Sequence, residues 1–231
     1  MPRRERPAKT ERSEHWLRVA VNERTEQLNE LIERKFSWST KDPITWLSPI
    51  KSDDYAEYYD EAFLERVGLS ALKSPLAAFW PKRGPRWDGL ARTTTGRVLL
   101  VEAKAYIEEG VDYRSGAKAA DSVDLIRQSL AVAKKAFGVN EAAPWDAPFY
   151  QYANRLAHLH LLNSVQGNNA YLLFLYFADA PDVPEPCTLE QWEGAERLTR
   201  KCLGLGKEHP YSDRVATLIW SVSDMLAGKS E

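Results

Sequence analysis

Residues 85–104 read PRWDGLARTTTGRVLLVEAK, two runs of strand-forming residues joined by Thr94-Thr95-Gly96. The second run, VLLVEAK, has the apolar character of a central strand, yet it ends in Glu102 and Lys104. A charge taken out of water without a partner is costly, so this run demands a compensating side chain or a metal ion. Residues two apart on a strand share a face, which sets Glu102 and Lys104 side by side with Leu100 behind them. A three-residue loop with Gly96 in the left-handed position pairs Thr93 with Arg97. Counting outward along the ladder then sets Asp88 opposite Glu102, with Cβ atoms roughly 5 Å apart. A two-residue turn would swing Asp88 to the other face, so the inference depends on loop register. Two facing carboxylates repel each other unless a cation lies between them. Oxygen donors of this kind suit Mg²⁺ or Mn²⁺, with Asp88 and Glu102 as ligands. Lys104 adds a compact amine, able to orient an attacking water or to hold developing negative charge.

Around this hairpin the pattern alternates between helix and strand periods. Residues 1–13 are rich in Arg, Pro and Glu and read as a flexible basic arm, followed by one domain over 14–231. Apolar residues at helical spacing predict a helix over 14–36, with a polar gap at 22–27. FSWSTKDPITWLSPI reads as a connection. Acids in the first turns, Ser52 or Asp53 as cap and Gly68 as stop predict a helix over 53–68. LAAFW, residues 76–80, reads as a short strand. Helices are expected over 121–137 and 149–165, and a strand buried on both faces over 170–179. The helix TLEQWEGAERLTRKCLG and the strand DRVATLIWSV follow. The sum is an α/β chain with a mixed central sheet flanked by helices.

This order, with W-D-G on one strand and E-A-K ending the next, resembles the PD-(D/E)xK nuclease superfamily. The resemblance implies a restriction-endonuclease-like core of helix, three-strand meander, helix and strand, spanning roughly residues 53–178. By position, Asp88 matches the motif aspartate, Glu102 the second acid and Lys104 the lysine. Trp87 stands where proline often precedes the aspartate, with Pro85 two positions earlier. The resemblance further implies an acid from the first core helix, for which Glu57, Asp60 and Glu61 are candidates and Glu57 is preferred. It also implies a polar residue on the following helix, where Gln151 and Arg155 are four apart and share a face. Arg155 is a candidate for contacting a phosphate or for pairing with a structural carboxylate. The implied activity is Mg²⁺- or Mn²⁺-dependent hydrolysis of phosphodiester bonds in nucleic acid, DNA ahead of RNA, in an assembly that can include a homodimer.

Elsewhere the composition sets limits. The 231 residues are 44% hydrophobic and carry a net charge of -2, so no global field recruits a polyanion and any such site is local. Lys82, Arg83, Arg86 and Arg92 form a local basic patch, suited to a phosphate backbone or to protecting a sheet edge. Trp38, Trp46, Trp80 and Trp87 lie near it in sequence, either to stack bases or to fill the core. His158 and His160 are two apart on a helix and face different ways, which argues against a shared metal. Cys187 and Cys202 lack zinc-site spacing and read as plain thiols, which with the absence of an apolar leader points to a cytoplasmic, membrane-free protein. No phosphate-binding glycine loop, serine-hydrolase elbow or dinucleotide fingerprint occurs. Two other readings remain: a non-catalytic nucleic-acid-binding protein on the same fold, and a plain Glu102–Lys104 ion pair.

Overall fold

The computed structural model of the chain describes residues 3–4, 10–111, 114–165 and 169–228. In chain order the elements are β1 (Arg3–Arg4), α1 (Arg12–Glu23), α2 (Thr25–Phe36), β2 (Ile44–Ser48), β3 (Glu57–Tyr58), α3 (Asp60–Arg66) and α4 (Lys73–Phe79). Then follow β4 (Gly89–Thr93), β5 (Val98–Lys104), α5 (Ala120–Ala136), α6 (Tyr150–Ser164), β6 (Ala170–Ala178), α7 (Leu189–Cys202), β7 (Val215–Ser221) and α8 (Val222–Ala227). Five strands form one sheet in the order β2-β4-β5-β6-β7. β4 runs antiparallel to both β2 and β5, and β5, β6 and β7 run parallel. The two-residue strands β1 and β3 pair with each other.

Parallel strands need both faces covered, and β6 has no polar alternation because it has no wet side. Leu172, Phe174 and Tyr176 enter the core on one face, together with Leu90, Leu100 and residues of α3 to α7. Leu173, Leu175 and Phe177 enter the core on the other, against α1, α2 and α8. Three layers result, helices on both sides of a mixed sheet. Among the described residues no helix is long and apolar enough to cross a membrane.

Several expected elements change. The helix over 14–36 is two helices, broken at Arg24 inside the polar gap, where no apolar stripe rewards continuation. The segment around Pro43 and Pro49 hides β2, whose alternate residues Ile44, Trp46 and Ser48 are buried. LAAFW is not a strand. It closes α4, with Leu76 and Trp80 one turn apart and buried while Ala77 and Ala78 are exposed; a run of five apolar residues is too short for periodicity to separate the two states. The helix expected over 53–68 reduces to α3, because Asp54 and Tyr55 adopt positive φ and interrupt it. The meander is therefore β2-β4-β5, and the helices preceding it are α1 and α2. Of the arm, residues 1–2 and 5–9 lie outside the described residues, Arg3–Arg4 forms β1, and Arg12 already begins α1.

Candidate active site

The hairpin between β4 and β5 has the three-residue loop expected. Thr93 N–H donates to the Arg97 carbonyl at 3.0 Å, and Gly96 holds φ +90°, a conformation costly for any residue with a Cβ. Asp42, buried, secures the loop from outside. Its carboxylate accepts from Thr94 Oγ1 and Thr95 N, each at 2.8 Å, and from Thr95 Oγ1 at 2.6 Å, and it pairs with Arg97. Burial opposes the Asp42 charge, but the hydrogen bonds from the loop threonines win and hold the carboxyl far below the usual range. Nothing in the local pattern of KDPIT marks this role, since the partners lie more than fifty positions away.

Gly89 stands opposite Val101 and Leu90 opposite Leu100. This is the register expected from the loop; Asp88 lies one residue before β4, so continuing that register by one step would set it against Glu102. Ala103 N–H donates to Asp88 Oδ2 at 2.8 Å. Glu102 is 2% exposed. Its Oε1 accepts from Lys104 Nζ at 2.6 Å, and its Oε2 lies 2.6 Å from both Nε and Nη2 of Arg155. Arg155, from α6, also donates to Asn154 Oδ1 at 2.9 Å and to the Arg86 carbonyl at 2.8 Å, and its guanidinium lies over the Trp87 ring. The compensation demanded by a charged strand end is thus a Lys104–Glu102–Arg155 chain.

This arrangement sets the charges. Burial pushes Asp88 up, the Glu102 carboxylate pushes it further, and its pKa reaches about 6. Burial opposes ionisation of Glu102 too, but Arg155 and Lys104 hold its pKa below the ordinary value. Lys104 is drawn down by burial and more strongly up by Glu102 and Asp88, so it remains an ammonium. The two carboxyls thus feel each other's charge, with Glu102 held ionised and Asp88 pushed toward protonation.

Asp88 opens on a cleft of about 880 Å³, lined also by Glu57, Gln151 and Arg155. Besides Arg155, five cations line it: Lys82, Arg83, Arg86, Arg114 and Lys118. Arg114 and Lys118 belong to a loop that the sequence offered only as exposed; their approach to the cleft is set by the packing of that loop, which local pattern does not encode. Glu102 and Lys104 line a separate, smaller space of about 90 Å³, which Gln151 shares with the main cleft.

Of the three candidate acids before β4, Glu57 lines the cleft. It lies on β3 and not on a helix. Asp60 instead accepts from the backbone N–H groups of Arg83 and Gly84, at 2.9 and 2.8 Å, and Glu61 pairs with Lys73. Arg155 is buried against Glu102, which realises its candidate carboxylate pairing, and it also lines the cleft. Trp38, Trp46 and Trp87 are core residues, and Trp80 is the member of that set that lines the cleft. His158 bonds the Asn154 carbonyl while His160 bonds Tyr211 Oη, each at 2.8 Å. Cys187 is a buried thiol and Cys202 a half-buried one.

Among the described residues no group of three or more His, Cys, Asp or Glu side chains gathers as a metal cage. The facing pair Asp88 and Glu102 nevertheless fits a magnesium-type ion, which takes one or two carboxylates and completes its shell with water and substrate phosphate. Hydrogen bonds already made by Glu102 do not disqualify it, because ligating carboxylates are ordinarily held by further hydrogen bonds. Comparisons of the chain with protein-family models, curated proteins and solved structures give no match.

Proposed function

We propose that this chain is a divalent-cation-dependent phosphodiesterase acting on nucleic acid, DNA or RNA. The observation that carries the reading is the convergence of Asp88, which accepts from the Ala103 N–H, with Glu102 and its partner Lys104, beside a cleft lined by five cations besides Arg155. The element order supports it in part: α1 and α2, the antiparallel strands β2, β4 and β5, helices α5 and α6, then β6 parallel the core order of the PD-(D/E)xK nucleases, with β3, α3 and α4 inserted between β2 and β4.

Asp88 and Glu102 would hold Mg²⁺ or Mn²⁺, which supplies an acidified water and polarises the phosphodiester. Arg155 fixes Glu102 through a two-nitrogen grip, so the ligand oxygen needs no reorganisation during reaction. With a pKa of about 6 the Asp88 carboxyl is mostly ionised at neutral pH and so would be able to hold the ion. Lys104, held as an ammonium by Glu102, stands ready to orient water or to neutralise charge building on the phosphate. The rim cations bind neighbouring phosphates without reading sequence. The test is cleavage of single- and double-stranded oligonucleotides with Mg²⁺ and with Mn²⁺, compared with Lys104→Ala. The wild type is expected to cut and the variant to lose activity about 100-fold or more; a wild type that binds metal and cuts neither substrate overturns the reading.

One observation favours a second reading. Both oxygens of Glu102 are held at 2.6 Å by cations, so the cluster is balanced without a metal, as in a protein that binds nucleic acid and does not cut it. Salt-sensitive binding with no turnover would select that alternative.

A further inference from the structure

Beside the basic cleft, and separated from it by residues 80–85, lies a second cavity of about 320 Å³ between α3, α4 and α6. Much of its wall is apolar, formed by Phe63, Leu76, Trp80, Pro81 and Pro85. Of its charged lining groups, Asp60 accepts from the Arg83 and Gly84 N–H groups, Glu61 pairs with Lys73, and Lys82 stands at the border with the cleft; His158, which is 1% exposed, adds a neutral polar group from below. The tautomer of this ring is fixed by its partner. Nδ1 lies 2.8 Å from the Asn154 carbonyl, which can only accept, so Nδ1 carries the proton and Nε2 presents a lone pair. Among the described residues Nε2 has no hydrogen-bond partner. Burial also keeps the ring neutral, with a pKa lowered to about 3, so the lone pair is present throughout the physiological range.

Gly84 stands where cleft and cavity meet and lines both. A Cβ built on it would come within 3.2 Å of the Trp80 ring, 3.4 Å of Asp60 Oδ1 and 3.7 Å of His158 Nε2. The glycine therefore leaves space beside the Trp80 ring and His158 Nε2 that a side chain would crowd. Lys82 lines both spaces too.

We propose that this cavity receives an unpaired nucleobase of the strand whose phosphates lie along the basic cleft. The proposal rests on the reading of that cleft as a nucleic-acid site and deepens it: the substrate presents a splayed-out base, as single strands, loops and distorted duplexes do and regular duplex does not. The chemistry matches on three counts. An aromatic wall and aliphatic side chains suit a base of any sequence, since every base has a π-face. A fixed acceptor suits the N–H groups at a base edge. The cavity volume exceeds that of one base and adjoins phosphate-binding cations, so base and backbone find their partners on either side of residues 80–85.

The experiment measures binding without turnover, by fluorescence anisotropy in EDTA. It compares a single-stranded oligonucleotide with an abasic oligomer of equal length and charge, using the wild type, Ala77→Trp and Gly84→Ala. Ala77 is exposed on α4 and lines the cavity, so a tryptophan there fills the mouth without entering the core, and an unchanged melting temperature confirms this. The wild type is expected to bind the base-bearing strand roughly five- to 100-fold more tightly than the abasic one. Both variants are expected to lose that preference, and Ala77→Trp to bind the abasic oligomer as the wild type does. Equal wild-type affinity for the two oligomers, or a preference that survives Ala77→Trp, overturns the base pocket and leaves the phosphodiesterase reading intact. Failure to bind either oligomer overturns both.

Discussion

Arg155 grips a single oxygen of Glu102 with two of its nitrogens, each at 2.6 Å, and both side chains are almost wholly buried. One belongs to α6 and the other to β5, so the pair ties the helical layer to the sheet at the point where the acids meet. Removing one member of a buried pair leaves an uncompensated charge and costs about 3–5 kcal/mol. Arg155→Met is therefore expected to lower the melting temperature by about 6–20 °C in EDTA. A cation bound beside Glu102 would replace the lost charge, so Mn²⁺ should raise the melting temperature of the variant more than that of the wild type. Equal Mn²⁺ shifts in the two proteins would sever Glu102 from the metal.

The carboxyl of Asp88 yields a pH prediction with a definite sign. Its folded pKa, about 6, lies above the unfolded value. It therefore favours the folded state fully below the unfolded pKa, near 4, and that contribution is lost as pH rises through about 6. Asp88→Asn stays neutral and keeps an oxygen for the Ala103 N–H. Without metal it is expected to melt above the wild type at about pH 8 and to lose that advantage at about pH 4. Because a ligand must be deprotonated, metal-induced stabilisation of the wild type should fade as pH drops below about 6. Thermal melts across pH, with and without Mn²⁺, check both halves; a variant no more stable than the wild type at high pH contradicts the assignment.

Asp42 carries the opposite sign. Its folded pKa is held below the ordinary value by the loop hydrogen bonds, so its contribution is present above the unfolded pKa, near 4, and is lost as pH falls below it. Asp42→Asn is expected to lose roughly 2–3 kcal/mol at neutral pH and to show a shallower acid loss than the wild type. Chemical denaturation at several pH values measures both. A variant with the wild-type acid slope would remove Asp42 from the account of the hairpin.

The rim cations predict a salt dependence. Each of Lys82, Arg86 and Arg114 that contacts a phosphate should, on change to alanine, reduce the slope of log affinity against log salt by about 0.7–0.9. Affinity measurements over a salt series test each position, and a slope unmoved by all three substitutions would move the binding surface elsewhere.

What was legible in the sequence was local. The loop Thr94-Thr95-Gly96 specifies its own register, and that register brings Asp88 to Glu102 with Lys104 alongside. The long amphipathic and apolar runs gave α5, α6, β6, α7 and β7 within a few residues. Short elements failed where the same residues suit two states: Leu76 and Trp80 serve a helix as well as a strand, and β2 lay hidden between Pro43 and Pro49. The partners of the site were illegible for another reason. Arg155 lies 53 positions from Glu102 and Asp42 lies 55 from Arg97, and such pairings exist only once the layers are packed.

The most direct measurement is calorimetric titration of Mn²⁺ into the protein at a pH well above the Asp88 value of about 6. One ion per chain is expected for the wild type, with affinity weakened more than about 100-fold in Asp88→Asn and in Glu102→Gln. A wild type that takes up no ion, or variants that fold normally and bind as tightly as the wild type, would contradict the claim that these two facing acids form a metal site.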